Sequence, residues 1–344
     1  MSKKFDVVIG NPPYQEEAQG AGTRDTPVYH LFMDAAYAVA KKAVLITPAR
    51  FLFNAGFTPK AWNEKMLADT HLTVPYYVPN SDELFPGTDI KGGIAVTYWD
   101  ASRVVDPIAT FTKYPELNTI LHKVAGSHHP SIASEITSSR SYRYTADLYG
   151  AHPELRALRP HGNAALISTN TFAQFASVLF KDQPDDGPAY SRILGLDRRG
   201  RDYRWIRDEY LTGPPSFEKY KVVVPAANGS GVLGEVLSSP MVVGPQVAVT
   251  QTFITIGSFS DEATAKACLK YVTSKFARAL LGVLKVTQHN PAKVWKYIPI
   301  QDFTEESEID WSKSIPEIDQ QLYAKYGLDP EEIAFIEAKV KPMK

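Results

Sequence analysis

The sequence has little of three things: cysteine, excess charge of one sign, and long apolar runs. Cys268 is the only cysteine in 344 residues, which excludes an internal disulfide and is typical of a reducing cytoplasm. Lys and Arg number 37 against 38 Asp and Glu, so composition alone indicates no nucleic-acid partner and any basic surface must be local. No stretch approaches the roughly 18 apolar residues of a membrane helix, and we expect neither a membrane partner nor a signal peptide.

The remaining composition is that of an ordinary globular protein. Hydrophobic residues make up 44% and charged residues 22% of the chain. A chain of this length can bury a full core and is expected to divide into two domains. The eight histidines show no metal-ligand spacing, so we predict no metal site.

The most informative motif follows an apolar run near the start of the sequence. Residues 5–10 are followed directly by Asn11, Pro12, Pro13 and Tyr14. A short apolar run ended by Gly predicts a parallel strand buried on both faces, and its carboxyl end is where open α/β sheets bind ligands. Two consecutive prolines stiffen the turn and remove two N–H donors, so it presents mainly acceptors.

These residue types suit the recognition of an exocyclic amino group. The side-chain oxygen of Asn11 and the backbone carbonyl of Pro12 can accept its two N–H bonds. Tyr14 offers a flat face for a base, a contact worth about 1–3 kcal/mol. The alternative is a plain Pro-Pro turn after a strand, with no chemistry attached.

At this motif the chain resembles the S-adenosylmethionine-dependent amino-methyltransferases, whose fourth motif is Asn-Pro-Pro-Tyr. The resemblance implies that residues 11–14 are catalytic and that S-adenosylmethionine is the methyl donor. In the members that act on nucleic acid, the target adenine is flipped out of the duplex. The resemblance therefore implies double-stranded DNA as a partner, in the cytoplasm of a bacterium and associated with its nucleoid.

Periodicity places further elements in the first hundred residues. It predicts helices at 28–41 and 59–68, and strands at 43–48, 72–78 and 90–99. That order resembles the second half of the methyltransferase sheet. Tyr98 and Trp99 are similar to the family's eighth motif, in which an aromatic side chain stacks on the flipped base. The alternative is that both rings close a core.

Other segments resemble one group of these enzymes more narrowly. Residues 85–87 (Phe-Pro-Gly), 91–93 (Lys-Gly-Gly) and parts of 285–328 resemble the methylases of bifunctional type II restriction–modification enzymes. The fold class predicted is α/β: a partial, C-terminal half of a Rossmann-like methyltransferase sheet, then a mixed α+β target-recognition domain. We expect the catalytic half at 1–105, the recognition domain at 106–300 and a helical tail at 301–344.

A donor site of the usual kind is not evident in the sequence. The family builds it from strands that normally precede Asn-Pro-Pro-Tyr, so we expect an upstream methylase half or a partner subunit to supply it. One Gly-x-Gly-x-x-Gly pattern occurs at 229–234, but prolines leave no room for the helix that the fingerprint requires. We interpret it as a loop. The cofactor-binding residues stay unknown, with Asn11 as the nearest candidate.

A local basic cluster is the expected DNA-binding feature of the second part. Arginines interleave with Tyr203 and Trp205 in the segment 192–207, as suits phosphate contacts and guanine readout. Aspartates in the same segment leave a salt-bridged surface as the alternative. A helix is predicted at 261–284, and Gln288 beyond it either touches DNA or caps the helix end. The predicted DNA-binding residues are Arg198, Arg199, Arg201, Arg204, Arg207, Lys219 and Gln288.

The sequence therefore favours an adenine-specific DNA methyltransferase of a restriction–modification system. One alternative is a protein-glutamine or RNA methyltransferase, which can have the same loop. Another is a non-catalytic DNA-binding specificity subunit, which would bind duplexes in a salt-dependent way without methyl transfer.

Overall fold

The computed structural model describes residues 4–16, 25–126, 129–158, 163–197 and 200–343. These residues form a mixed α/β structure with ten α-helices and several sheets. The chain divides into two compact units, Met1–Asn118 and Thr119–Lys344. Among the described residues, no helix is long and apolar enough to cross a membrane.

The first unit alternates strands and helices in the predicted order. Its elements are β1 (Phe5–Gly10), β2 (Gln15–Glu16), β3 (Thr26–Pro27), α1 (Tyr29–Val39), β4 (Ala40–Pro48), α2 (Lys60–Leu67), β5 (Leu72–Val78) and β6 (Ile94–Asp100). The predicted strand at 90–99 is wrong at its start. Gly92 and Gly93 have φ values of +88° and +77°, so this part of the chain turns before it extends.

These strands form a four-stranded sheet in the order β1-β4-β6-β5. β1 runs parallel to β4, as the connection through α1 requires, while β6 is antiparallel to β4 and β5. The core of this unit packs α1 and α2 against the sheet. Its largest buried side chains include Met33, Phe51, Trp62, Met66 and Trp99.

The prediction that β1 is buried on both faces is wrong. Phe5, Val7 and Ile9 are 54%, 49% and 77% exposed. β1 lies at the edge of the sheet, and among the described residues it pairs with β4 alone. Apolar side chains on an unpaired edge are a surface that proteins ordinarily cover.

The second unit contains most of the remaining elements. They are α3 (Pro115–Gly126, which spans the division between the units), β7 (Ile136–Thr137), β8 (Arg143–Tyr144), α4 (Ala146–Ala151), α5 (Glu154–Ala157), α6 (Thr171–Gln174), β9 (Tyr190–Asp197), β10 (Gly200–Arg207), β11 (Leu211–Thr212), β12 (Tyr220–Pro225), β13 (Met241–Val243), β14 (Val247–Val249), β15 (Phe253–Phe259), α7 (Glu262–Thr273), α8 (Lys275–Leu284), α9 (Ile315–Lys325) and α10 (Pro330–Lys339). Its larger sheets have the orders β13-β12-β15-β7 and β10-β9-β14.

The single helix predicted at 261–284 is two helices. Ser274 separates them with an extended backbone (φ −60°, ψ 154°), and its hydroxyl accepts the backbone N–H of Ala277 at 3.1 Å. A serine that satisfies a free N–H in this way starts a helix, and periodicity alone does not show it. In the C-terminal segment, α9 and α10 each begin with a capping box, at Ser314 and Asp329.

Candidate functional site

A cavity of about 630 Å³ lies beside the Asn-Pro-Pro-Tyr turn in the first unit. The turn follows β1 directly, so the strand fixes where its acceptors point. The side chains and backbone around the cavity are those of Asn11, Pro12, Pro13, Tyr14, Gln15, Asp25, Pro27, Tyr29, Pro48, Arg50, Gly56, Phe57, Asp89, Ile90 and Lys91. The four residues predicted to be catalytic therefore share one cavity.

The turn leaves one strong acceptor open. The carbonyl of Tyr14 accepts the N–H of Val28 at 3.1 Å, which fixes the end of the turn. The carbonyl of Pro12, by contrast, accepts no hydrogen bond from any described residue. Burial raises the pKa of the Tyr14 hydroxyl, and the neighbouring Asn11 side chain opposes that rise. Tyr14 is thus a neutral phenol at physiological pH, suited to stacking.

Arg50 joins the two loops on the far side of the cavity. Its Nε donates to the carbonyl of Lys91 at 2.6 Å. Gly56 and Gly92 lie against its side chain so closely that an added Cβ would come within 3.2 Å and 2.9 Å of it, and both have positive φ. Arg50 itself sits in a short 3₁₀ helix (Ala49–Phe53) directly after β4, so the sheet positions this wall too.

Phe57 is a lining residue that the sequence analysis missed. Its ring is 62% exposed, although it lies in a cavity with Tyr14 and the two prolines. Hydrophobic periodicity does not detect an exposed phenylalanine in a loop. The signal that could have found it is Gly56 and Pro59 around it, which mark an irregular segment between two predicted elements.

Tyr98 and Trp99 do not line this cavity, and their role as base-stacking residues stays a prediction. The hydroxyl of Tyr98 donates to Asp100 at 2.8 Å. Trp99 is buried, its ring stacks on Tyr37 at 5.0 Å, and its Nε1 donates to Asp69 at 3.1 Å. Trp99 belongs to the hydrophobic core of this unit, which favours the alternative of a closed core for this ring.

Three arginines of the predicted cluster, Arg201, Arg204 and Arg207, lie on strand β10 of the β9–β10 hairpin, and their side chains form contacts within the chain. Arg204 is 7% exposed and ion-paired with Asp197 at 2.7 Å and with Asp202. Arg207 pairs with Asp186 at 3.1 Å, and hydrogen bonds from its side chain, to Tyr190 first, raise its pKa. The contacts favour the salt-bridged alternative, because the Arg204 guanidinium is buried and already paired; DNA binding by Arg204 stays a prediction.

The other predicted DNA-binding residues have mixed surroundings. The guanidinium of Arg201 donates to the carbonyls of Ser238 and Ser239 and lies 5.1 Å from the ring centre of Phe253. Lys219 and Gln288 are exposed, and their role stays a prediction. Arg198 and Arg199 lie outside the described residues.

The glycine pattern at 229–234 is a loop, as predicted, and its N–H groups are occupied. The carboxylate of Glu235 accepts the backbone N–H groups of Ser230, Gly231 and Val232 at 2.8–3.2 Å. Burial alone would raise the pKa of Glu235, but these bonds and the Ser230 hydroxyl hold it at about 2. A ring of N–H groups that could hold a phosphate is therefore filled by the chain's own carboxylate.

A comparison with protein families matches residues 1–85 to the Eco57I restriction-modification methylase. A relative from Mycoplasma pneumoniae, described as an uncharacterized adenine-specific methylase, is 31% identical over 100 residues. That alignment covers 28% of this chain and 24% of the relative. Both matches cover only part of this chain, and the aligned segment is about a quarter of the relative's own length.

Two solved structures resemble the chain over most of its length. They are the type IIG restriction endonuclease BpuSI and the type IIL restriction-modification enzyme MmeI in complex with DNA. Each is 10% identical at a TM-score of 0.33 and covers 97% of this chain, which spans 53% and 56% of their lengths. A TM-score this low carries no inference by itself. Residues 1–85, which contain the turn and most of its cavity, are similar to the Eco57I restriction-modification methylase family.

Proposed function

We propose that this chain carries the target-base half of an adenine-specific DNA methyltransferase of a restriction–modification system. The observation that supports it is the cavity at the end of β1, which is lined by the turn with its open Pro12 carbonyl and by the exposed residue Phe57. The family match over residues 1–85 supports the same activity.

The turn binds the amino group that is to be modified. Asn11 Oδ1 and the Pro12 carbonyl accept the two N–H bonds of adenine N6, which favours a pyramidal nitrogen with an available electron pair. The amino group is neutral, so the chain need not supply a strong general base. The absence of an N–H at Pro12 and Pro13 keeps competing donors away from this position.

Tyr14 and Phe57 flank the extruded base. Both residues line the same cavity, and Phe57 is 62% exposed. Stacking on an aromatic ring is worth about 1–3 kcal/mol per base and offsets part of the cost of unstacking the adenine. Phe57 takes the role for which the sequence suggested Tyr98 or Trp99.

S-adenosylmethionine supplies the methyl group in this proposal, as it generally does for methylases. The described residues do not fit a donor site of the dinucleotide type, because Glu235 fills the glycine loop at 229–234. We propose that a further methylase segment, in the same or another polypeptide, holds the donor. The exposed apolar side chains on the unpaired edge of β1 support this proposal. The donor segment would pair with that edge and complete a Rossmann-like sheet.

Tritiated methyl transfer to mixed-sequence duplex DNA tests this function. The chain is assayed alone and together with the polypeptide encoded immediately upstream, and Asn11→Ala serves as the inactive variant. We expect transfer that depends on Asn11 and on adenine, with N6-methyladenine as the product. Transfer at the wild-type rate by Asn11→Ala, or methylation of RNA or protein instead of DNA, would overturn the proposal.

A further inference from the structure

A second cavity, of about 950 Å³, lies wholly within the unit Thr119–Lys344. Its walls come from the ends of the sheet β13-β12-β15-β7, from the loop after β7 and from the segment after α8. The side chains that give it polar character include Ser138, Arg140, Gln251, Thr252, His289 and Lys293. We call this region the basic cleft.

The lining of the basic cleft carries cations without acids. Arg140, His289 and Lys293 are exposed, and no carboxylate occurs among the described residues around the cavity. Among the described residues, none forms an ion pair with the guanidinium of Arg140 or the ammonium of Lys293. Cations beside hydroxyl and amide groups are the donors that bind phosphate oxygens.

The arginine hairpin of the same unit is different. Arg204 and Arg207 each contact two carboxylates, so their charge is largely compensated inside the chain. A surface binds DNA through positive charge that is free to replace counterions. In this unit the basic cleft has such charge, whereas these two arginines do not.

The backbone beneath the basic cleft is held rigidly. The N–H of Asn228 donates to the carbonyl of Gln288 at 2.7 Å, and the Lys285 ammonium donates to the carbonyl of Asn228 at 2.9 Å. Asn290 is fully buried, and its amide donates to the carbonyl of Pro225 at 2.9 Å. Because these bonds order the segment 285–290 in advance, less entropy is lost when His289 and Lys293 engage a ligand.

We propose that the basic cleft docks the sugar–phosphate backbone of duplex DNA, with Arg140 and Lys293 as its phosphate contacts. This inference rests on the proposed function, which requires a duplex substrate. The hydroxyls of Ser138 and Thr252 and the amide of Gln251 add neutral donors along the same wall.

Fluorescence anisotropy of the full chain with a labelled 30-base-pair duplex of mixed sequence, without methyl donor, tests the cleft. The double variant Arg140→Ala, Lys293→Ala should weaken binding roughly tenfold at about 0.1 M salt. The slope of log K against log salt should fall in magnitude by about 1.8, the contribution of two phosphate contacts. The control variant Lys266→Ala, Lys313→Ala removes the same charge from exposed sites outside the cleft and should bind as wild type does.

Three results would overturn the proposed role of the basic cleft. They are an equal loss of duplex affinity in both double variants, no binding of duplex by the wild-type chain, or tighter binding of a polyglutamate peptide than of duplex. Circular dichroism and thermal unfolding confirm that the double variants fold. If the chain binds duplex through the cleft but transfers no methyl group, the proposed function is wrong and the cleft proposal stands. If the cleft variant transfers methyl groups and binds duplex as tightly as wild type, the cleft proposal is wrong and the proposed function stands.

Discussion

The Nε of Arg50 donates a hydrogen bond to the carbonyl of Lys91 across 41 residues of sequence, at 2.6 Å. This bond connects the loop after β4 with the loop before β6. Phe57 lies in the first of these loops, and Asp89 and Ile90 lie in the second. Together with the bond from the Ala49 N–H to the Gly93 carbonyl at 2.9 Å, the Arg50 bond joins two segments that line the cavity.

Replacing Arg50 by Met should lower methyl transfer by the reconstituted enzyme about tenfold or more, because misplacement of a cavity wall by an ångström is costly. Methionine keeps the apolar stem that packs on Gly56 and Gly92 and removes the donor. We expect the same thermal midpoint within a few degrees. Lys60→Met, at an exposed site on α2, is the matched control. Unchanged kcat/KM in Arg50→Met would show that the loops hold without this bond.

Phe57→Ala should weaken base stacking, while Phe57→Trp should preserve it. The probe is 2-aminopurine, an adenine analogue whose fluorescence is quenched by stacking, placed unpaired in a duplex so that extrusion costs little. Loss of one aromatic contact, about 1–3 kcal/mol, corresponds to a roughly 5- to 150-fold weaker bound state. If the wild-type and Phe57→Ala chains quench the 2-aminopurine fluorescence equally, the base does not stack on Phe57.

Tyr98→Phe should leave that quenching and the methyl transfer rate as they are in the wild type. The hydroxyl bonds to Asp100, away from the cavity, so its loss affects only a local contact. Trp99→Phe should instead lower stability by about 1–3 kcal/mol, because it leaves a cavity beside Tyr37 and an unpaired acceptor at Asp69. Urea unfolding measures the second effect. If Tyr98→Phe folds normally but transfers methyl groups more slowly, Tyr98 takes part in the site.

Lys221 should make stability rise with pH. It is fully buried and donates to the carbonyls of Phe217, Lys219 and Gly244. Burial lowers its pKa from 10.5 to about 8, with Glu218 opposing the change. Between these values the unfolded chain holds the extra proton, so the free energy of unfolding increases with pH across that window, by roughly 3 kcal/mol at most.

Urea unfolding between pH 7.5 and pH 10.5 checks this dependence. Lys221→Met should flatten the slope relative to wild type, and the exposed neighbour Lys219→Met should not. Parallel slopes in wild type and Lys221→Met would mean that Lys221 keeps its ordinary pKa in the folded chain.

Gly231→Ala should destabilise the chain more than Gly187→Ala. Both glycines have positive φ, +92° and +98°, which costs about 1–2 kcal/mol for alanine. At Gly231 the added Cβ would also come within 2.3 Å of the Val286 backbone, whereas at Gly187 it meets open space. Thermal unfolding compares the two. Equal losses would indicate that the segment at Val286 shifts freely.

Elements with a strong local signal could be predicted from the sequence. The helix α1, the strands β4 and β5 and the loop at 229–234 lie where periodicity, proline and glycine placed them. The break at Ser274 was missed, because the apolar spacing continues through it and only the cap reveals the boundary. The early start given to β6 failed for a related reason, since Gly92 and Gly93 turn the chain through backbone angles that a hydrophobic pattern does not encode.

The sequence alone determined the chemical groups of the turn. Asn11, Pro12, Pro13 and Tyr14 supply hydrogen-bond acceptors and an aromatic ring whatever fold surrounds them. Which other residues join them was decided only by tertiary structure. The fold placed Trp99 in the core and bonded the hydroxyl of Tyr98 to Asp100, and it brought Phe57 into the cavity beside the turn. Likewise, the sequence shows that the hairpin is rich in arginine. Only the fold shows that Arg204 and Arg207 pair with carboxylates, whereas the charges of Arg140 and Lys293 have no described ion-pair partner. Charge and aromaticity are local properties, whereas exposure and pairing depend on contacts between distant segments.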